Sequence, residues 1–246
     1  MENAQLIGLS RQTALKREMD VIANNLANIN TTGFKGQRIH FEEYLMPVAE
    51  ATAFPTMDET LSYTQDFATS FDFAQGALRQ TGNPLDLAIQ GDGWLSVEGF
   101  NGEQLYTRTT SLHLSPQGEL QTASGNPVLV DGAPLTIPTD QGPISVDKQG
   151  VISVGDVTLG KLSLVEFENA QQLTHQGDNL FTGPEPFPAT NTSIVQGAIE
   201  SSNVEGVTEI TRMIEVTRNY ASISKLISER NELQKKAIQQ LGSIEA

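Results

Sequence analysis

The first thirty residues place apolar side chains at the spacing of one helix face. Steps of four, three, four and three residues form a heptad-like seam that consists of Leu15, Met19, Ile22, Leu26 and Ile29. The segment "TTGFK" then supplies a stop, because Gly33 is free to take the left-handed conformation that closes a helix. The pattern predicts an N-terminal helical element over residues 1–35.

The last forty residues repeat this arrangement. Apolar positions at steps of three and four are Met213, Val216, Tyr220, Ile223 and Ile227, and the seam resumes at Ala237, Leu241 and Ile244. Ser202 and Glu205 fit a capping box, which predicts a helical element over residues 203–246. With no proline and one early glycine before residue 241, this helix would be about 55–60 Å long. Such a helix exceeds the span of a small domain, so we expect part of it to pack against other chains.

The chain between these helices alternates apolar and polar residues over short runs. The run "LDLAIQGDGWLSV" alternates on both sides of Gly91-Asp92-Gly93, which predicts a hairpin with its turn at these three residues. Further turns at "SPQG", "SGNP", "VDGAP", "DKQG" and "VGD" follow at intervals of about eight to twelve residues. Short strands at this spacing are typical of an antiparallel sandwich or barrel-like domain.

These patterns together predict an α+β protein. Discontinuous N- and C-terminal helices would form a coiled-coil-like layer, and a central antiparallel all-β domain would occupy residues 79–181. Residues 36–78 are less regular and are expected to be an extended connection. Residues 182–202, which contain three prolines, are expected to be the connection back.

Charge is distributed unevenly along the chain. The net charge is −15, but residues 41–206 hold four basic and 22 acidic residues, a net of −18, while both ends are nearly neutral. Nucleic-acid binding needs a basic footprint, so we expect no nucleic-acid partner. The near-neutral ends can approach other chains with little repulsion.

Several classes of function lack their sequence signals. There is no cysteine, no run of about 18 apolar residues, and no apolar segment near the polar start "MENAQLIGLSRQ". We therefore expect neither a membrane span nor a cleavable signal peptide. His40, His113 and His175 share no ligand spacing, and "QGDGW" lacks the third glycine of a dinucleotide fingerprint. We expect no catalytic, metal or cofactor site.

One enzymatic alternative stays open at this point. Asp86, Asp92 and Glu98 could form the paired carboxylates of a carbohydrate-active enzyme. With 22 acidic residues in the middle segment, some carboxylates will cluster by chance and serve only to keep the surface soluble.

Three segments resemble the axial proteins of the bacterial flagellum, the rod and hook family. They are the opening "MENAQLIGLSRQTALKREMDVIANNLANINTTGFK", the central "GALRQTGNPLDLAIQGDGWLSVEGFNGEQLYTRTTSLHLSPQGELQTASGNPVL" and the late "GAIESSNVEGVTEITRMIEVTRNYASISKLI". The opening and the length are most similar to a proximal rod subunit, with a distal rod subunit as the near alternative. A secreted surface protein with coiled-coil ends is a more distant alternative.

The resemblance implies a structural protein without catalytic activity or cofactor. Its partners would be other copies of itself, other rod proteins and, during secretion, the flagellar type III export apparatus, which needs no cleavable signal. The terminal helices would form the inner layer of a helical tube that crosses the periplasm, transmits torque and lets later subunits pass. The assembly interface would then comprise Asn24, Asn25, Asn28, Gly33 and Phe34, together with the seam residues Leu15, Met19, Ile22, Leu26, Ile29, Met213, Val216, Tyr220, Ile223, Ile227 and Leu241.

The asparagines are unusual in a helix, because their amides compete for backbone groups. Asn24, Asn25 and Asn28 can each donate and accept hydrogen bonds, so we expect them to bond to adjacent helices or to cap backbones, which would set the register between neighbours. The alternative is that they line a wet lumen.

Overall fold

The computed structural model describes residues 2–45, 62–138 and 142–242, with two helices and a central antiparallel β region. The α+β prediction is therefore confirmed. Over its described residues the chain divides into two units. The helical unit comprises Met1–Leu26, Gln37–Ser70 and Gly206–Ala246, and the β unit comprises Ala27–Gly36 and Phe71–Glu205.

Two antiparallel helices, α1 (Glu2–Ala27) and α2 (Gly206–Gly242), make up most of the helical unit. Arg212 pairs with Glu18 at 3.1 Å, whereas Ile227, further along α2, lies beside Gly8 near the start of α1. The 37 residues of α2 give a length of about 55 Å, as predicted.

Both helices end differently from their sequence signals. α1 ends at Ala27, before Ile29, and residues 28–30 form a turn in which Thr31 donates to the Asn28 carbonyl. α2 begins at Gly206, later than the capping box predicts. The Ser202 hydroxyl accepts a hydrogen bond from the Val204 amide instead.

The helical unit also contains two paired strands, β1 (Gln37–Leu45) and β2 (Ser62–Phe71). Both lie within residues 36–78, the segment expected to be an extended connection. Asn25, near the end of α1, is 2% exposed and binds the backbone at the start of β1. Its Nδ2 donates to the Gln37 carbonyl at 2.9 Å, and its Oδ1 accepts from the Gln37 amide at 2.8 Å. The Asn25 side chain thus makes two hydrogen bonds to the Gln37 backbone, as a paired residue of a neighbouring strand would.

The β unit consists of short strands joined by tight turns and one 3-10 helix, Ala170–Gln172. The strands are β3 Leu78–Gln80, β4 Leu87–Gln90, β5 Trp94–Glu98, β6 Gln104–Thr107, β7 Leu112–Leu114, β8 Leu120–Thr122, β9 Leu129–Val130, β10 Ala133–Pro134, β11 Ile144–Val146, β12 Val151–Val154, β13 Val157–Lys161, β14 Leu164–Glu166, β15 Thr174–Gly177, β16 Leu180–Thr182, β17 Phe187–Pro188, β18 Ser193–Gln196 and β19 Ala198–Glu200.

These strands form antiparallel ladders. The largest sheet has six strands in the order β15-β16-β6-β5-β14-β17, and β11, β12 and β13 form a second sheet. The remaining ladders are the pairs β3–β19, β4–β18, β7–β8 and β9–β10. The segment expected to be a connection back, residues 182–202, therefore supplies β17, β18 and β19 to the unit.

The predicted hairpin around Gly91-Asp92-Gly93 is wrong. β4 pairs with β18, whereas β5 pairs with β6 and β14, so the chain leaves one sheet and enters another at this point. Both strands form where the pattern places them, but residues 87–89 and 94–97 are buried throughout, so neither strand has alternating exposure. Alternation also does not reveal which strand is the partner. Gly91 has a φ of 105°, and a Cβ at Gly93 would lie 2.5 Å from the Thr192 side chain.

The turns themselves form where the sequence predicts them. Gly118 donates to the Ser115 carbonyl, and Gly150 donates to the Asp147 carbonyl. Asp131 and Gly132 both have positive φ, which is the geometry of a tight hairpin turn between β9 and β10.

Two clusters of buried side chains hold the β unit together. The larger is aliphatic and includes Ile89, Leu95, Val97 and Ile152, each at most 1% exposed. The smaller is aromatic and consists mainly of rings in edge-to-face contact, with Phe71, Phe73, Trp94, Tyr106, Phe167 and Phe181 as its members. Trp94 is the only tryptophan of the chain, so its fluorescence reports on the β unit alone.

Substituting Ile152→Ala should lower the free energy of unfolding of the β unit by about 2–5 kcal/mol, because it leaves a cavity in the aliphatic core. Val157→Ala, at a side chain that is 51% exposed, is the control and should cost less than about 0.5 kcal/mol. Urea titration followed by Trp94 fluorescence measures both. Equal losses for the two variants would contradict the assigned core.

Substituting Asn25→Ala should destabilise the helical unit by about 1–3 kcal/mol, since the amide and carbonyl of Gln37 lose their partner. Thermal unfolding followed by far-UV circular dichroism, which reports the helices, measures the change. Asn30→Ala, at an exposed position, is the matched control and should leave the transition unchanged. An unchanged unfolding transition in the Asn25→Ala variant would show that the hydrogen bonds between Asn25 and Gln37 do not stabilise the end of α1.

Candidate assembly interface

The predicted seams lie partly inside the chain. Ile22 and Val216 are buried, at 1% and 4% exposure. The other seam residues up to Ile227 that lie in the described helices are half-buried: Leu15, Met19, Leu26, Met213, Tyr220, Ile223 and Ile227. Ala237, where the seam resumes, is exposed. Thr217 contacts the Met19 sulfur, which shows that this side of α2 faces α1. The seams therefore use part of their apolar surface within one molecule, and their role between molecules stays a prediction.

The remaining predicted interface residues lie elsewhere. Leu241 belongs to α2, but its side chain is outside the described residues. Ile29 is half-buried just after α1, and Phe34 is buried in the β unit at 5% exposure. Gly33 has the left-handed φ that the sequence predicts, 66°, but six residues after the end of α1. It allows close approach to the Arg108 carbonyl, which would lie 2.5 Å from a Cβ.

The asparagines have three different environments. Asn25 bonds within its own chain to Gln37, as described above, a partner that sequence reasoning missed. Asn24 is exposed, and Asn28 is half-buried with its Oδ1 accepting from the Thr31 hydroxyl at 3.1 Å. Of the three, only Asn25 has its amide buried; a register role for the other two stays a prediction.

A second apolar surface lies on α2 and was not part of the predicted seam. Val207, Ile210 and Ile214 are 81%, 48% and 48% exposed. Their spacing of three and four residues places them on one stripe, and Val207 lies on the side of the helix opposite the buried Val216. We call these three residues the outer stripe. Further exposed apolar residues are Leu6 and Leu9 on α1 and Leu226, Leu233 and Ile238 on α2.

A buried ion cluster lies within the β unit where the chain comes from α1 and returns to α2. Lys35 and Glu200, whose side chains are each 1% exposed, pair at 2.6 Å. The second carboxylate oxygen of Glu200 lies 3.3 Å from Arg108 Nε, an ion-pair contact without hydrogen-bond geometry. Two cations thus share one carboxylate. The excess positive charge is balanced by backbone carbonyls of Ala74, Gly91 and Gly93, which accept from the two cations.

Asn203 connects the same segments through its amide. Its Oδ1 accepts from the Gly36 amide at 2.8 Å, and its Nδ2 donates to the Asp72 carbonyl at 2.7 Å and the Ala74 carbonyl at 3.1 Å. We call Lys35, Arg108, Glu200 and Asn203 the clamp. Backbone bonds reinforce it: Gly33 donates to the Glu200 carbonyl at 2.8 Å, and Gly76 donates to the Glu200 carboxylate at 2.9 Å.

Burial dominates the electrostatics of the clamp. Desolvation lowers the pKa of Lys35, and the charge of Glu200 and its hydrogen bond oppose that shift. Desolvation also lowers the pKa of Arg108, again opposed by Glu200. Removing Glu200 would therefore deprive two buried cations of their main opposite charge, the costly way to break a buried ion pair. It would leave only the weaker effects of Asp72 on Lys35 and of Asp92 on Arg108.

Sequence reasoning missed the whole clamp. Lys35 and Glu200 are 165 residues apart, so no local spacing relates them. Asn203 falls in the sequence that fits a capping box, which suggested a different role. The one available signal was a lysine next to Gly33-Phe34 and a glutamate inside the apolar run "GAIE", two charges in otherwise apolar surroundings.

The residues considered for catalysis have separate surroundings. Asp86 accepts from the Ser111 hydroxyl at 2.8 Å, and Asp92 lines a cleft of about 220 Å³ together with Trp94, Arg108 and Glu168. The His175 ring contacts Phe71 in a tilted arrangement and Phe181 edge-to-face, and burial lowers the pKa of His175. Within the described residues, no three acidic or histidine side chains are arranged to hold a metal ion. No helix of the described chain has the length and apolar content needed to span a membrane.

Three protein-family models match this chain. The model for the flagella basal body rod protein matches residues 6–35, which cover most of α1 and the start of the clamp. The model for the flagellar hook protein FlgE/F/G D1 domain matches residues 88–154 of the β unit. The model for the flagellar basal body rod FlgEFG protein C-terminal matches residues 195–240, from β18 through most of α2.

Relatives are similar over almost the full length. The flagellar basal-body rod protein FlgF of Caulobacter vibrioides is 39% identical over 250 residues, which cover 99% of this chain and 100% of the relative. FlgF of Mesorhizobium japonicum is 32% identical and covers 99% of each chain. FlgG of Agrobacterium fabrum is 32% identical over 94% of this chain and 96% of its own. The chain belongs to the flagellar basal-body rod protein family.

Proposed function

We propose that this chain is a structural subunit of the flagellar basal-body rod, of the FlgF type. It assembles helically, through its terminal helices, into part of the axial tube that transmits torque and conducts exported subunits. The similarity to FlgF proteins over the full length supports the structural role. The observation that carries the mode of assembly is the outer stripe, an apolar surface on a helix whose other side already faces α1.

The outer stripe supports contacts between molecules for a thermodynamic reason. Apolar side chains at 48–81% exposure along one side of a helix gain free energy when another surface removes them from water. Beyond Arg230, every described side chain of α2 up to residue 240 is exposed, and Leu233 and Ile238 among them are 65% and 62% exposed. Coiled-coil packing against helices of neighbouring subunits would cover both regions. The predicted seams and asparagines then belong to the same helical layer.

The acidic composition of the middle segment suits a different role. Residues 71–205, which make up nearly all of the β unit, hold 16 acidic and four basic residues, a net charge of −12, which favours exposure to solvent over packing against like copies. We therefore place the β unit on the outside of the tube, within the periplasm. The chain reaches this place by the flagellar type III export apparatus, has no catalytic activity and needs no cofactor.

We favour the proximal part of the rod, because the FlgF relatives match at up to 39% identity over the full length. The distal rod is the second candidate, since FlgG proteins match over 94% of the chain at 32% identity. Either position keeps the same partners, namely further copies of this chain and other rod proteins.

Replacing Ile210→Asp and Ile214→Asp together should abolish incorporation into rods, because two carboxylates on the outer stripe cannot be buried between helices. The isolated variant should keep its far-UV circular dichroism, since both side chains are substantially exposed. In cells whose only copy is this variant, swimming in soft agar should fall to the level of a deletion strain. Rods purified from these cells should lack the chain.

The matched control is Asn219→Asp with Ser222→Asp, which adds two carboxylates at exposed polar positions of the same helix. It should assemble and support swimming. Normal incorporation of the Ile210/Ile214 variant would refute assembly through the outer stripe, whereas failure of both variants would mean that added charge alone disturbs the rod.

A further inference from the structure

The clamp joins parts of the chain that lie near its two ends. Lys35 comes from the segment after α1, Glu200 and Asn203 come from the segment before α2, and Arg108 follows β6 in the middle. All four belong to the β unit, with side chains of Lys35, Glu200 and Arg108 at most 3% exposed. The β unit is therefore completed by residues from outside its central strands.

The clamp contacts join residues that lie far apart in the sequence. Glu200 Oε1 accepts from Lys35 Nζ, 165 residues away, and from the Gly76 amide, 124 residues away. Asn203 binds the Gly36 amide across 167 residues. Closing loops of this length costs chain entropy before any contact forms, so such contacts are favoured only after the intervening chain is already compact.

We propose that the clamp is a late-closing lock, which completes the β unit only after both end segments have reached it. Before closure, Glu200 lacks Lys35 and is not yet buried beside Arg108, which follows β6 in the central part, because a buried carboxylate with incomplete partners is disfavoured. Burial of Glu200 beside Arg108 and arrival of Lys35 are thus one event. The central strands fold first, and the segments next to both helices are fixed last.

The lock has a consequence for a chain that is threaded out of the cell. Whichever end emerges first, the clamp cannot close until Gly36 and Asn203, which are 167 residues apart in sequence, have both emerged. A partly exported chain therefore cannot reach its final stability and become fixed midway. This consequence rests on the proposed function, whereas the late closure itself is a property of the isolated chain.

The test is refolding and unfolding kinetics of the full-length chain, followed by Trp94 fluorescence. Lys35→Met removes one cation but keeps an apolar stem, and Glu200→Gln removes the carboxylate but keeps its shape. Each should raise the unfolding equilibrium constant about 100-fold or more. If the clamp closes late, nearly all of this change appears as faster unfolding, and refolding slows by less than about 4-fold.

Matched controls are Lys16→Met and Glu185→Gln, which make the same chemical changes at exposed positions. Both should leave the two rates unchanged. If a clamp variant fails to fold, Asn203→Ala removes three hydrogen bonds without leaving a buried charge and should show the same kinetic pattern at smaller size.

Two results would overturn the lock. Refolding slowed in proportion to the lost stability would mean that the clamp forms early, as part of the folding nucleus. Clamp variants no less stable than their controls would mean that the buried ions contribute nothing to closure. Neither result bears on rod assembly, which the outer-stripe variants test separately.

Discussion

The buried carboxylate of Glu200 is the constraint on which the β unit depends. A carboxylate that is 1% exposed needs opposite charge and hydrogen-bond donors, and here they come from Lys35, Arg108 and the Gly76 amide. These three partners belong to separate parts of the chain, so the burial of one carboxylate determines where several segments meet. The segments next to α1 and α2 are thereby part of the β unit, although the helices themselves belong to the other unit.

The two units differ in how they treat their apolar side chains. The β unit buries apolar side chains in two clusters and provides its buried carboxylates with cations or hydrogen-bond donors, and its exposed large apolar residues Leu78, Phe100, Val157 and Phe187 are scattered along the sequence. The helical unit leaves apolar residues exposed along α2, and every described side chain of that helix after Arg230 is exposed. The exposed apolar surface of α2 is available for contacts with neighbouring subunits, as the proposed assembly through the helices requires.

Local sequence patterns predicted some elements correctly and missed others, for physical reasons. Periodicity over the terminal segments predicted both helices, because helix contacts repeat every three or four residues. Turn residues predicted the positions of the tight turns. The pattern did not predict which strands pair. The turn at Gly91–Gly93 has the sequence of a hairpin, yet β4 pairs with β18, about a hundred residues later. The clamp and the Asn25 bridge also depend on distant partners, so spacing could not reveal them.

Electron microscopy of purified basal bodies would test the axial role most directly. The chain should carry an epitope between Ala123 and Ser124, in an exposed turn of the β unit, and should first be shown to support swimming. Gold-labelled antibody is predicted to decorate the rod at its proximal part, and label at the distal part would instead assign the chain to that segment. Basal bodies without label, in cells that contain the tagged chain free in the periplasm, would contradict the rod subunit.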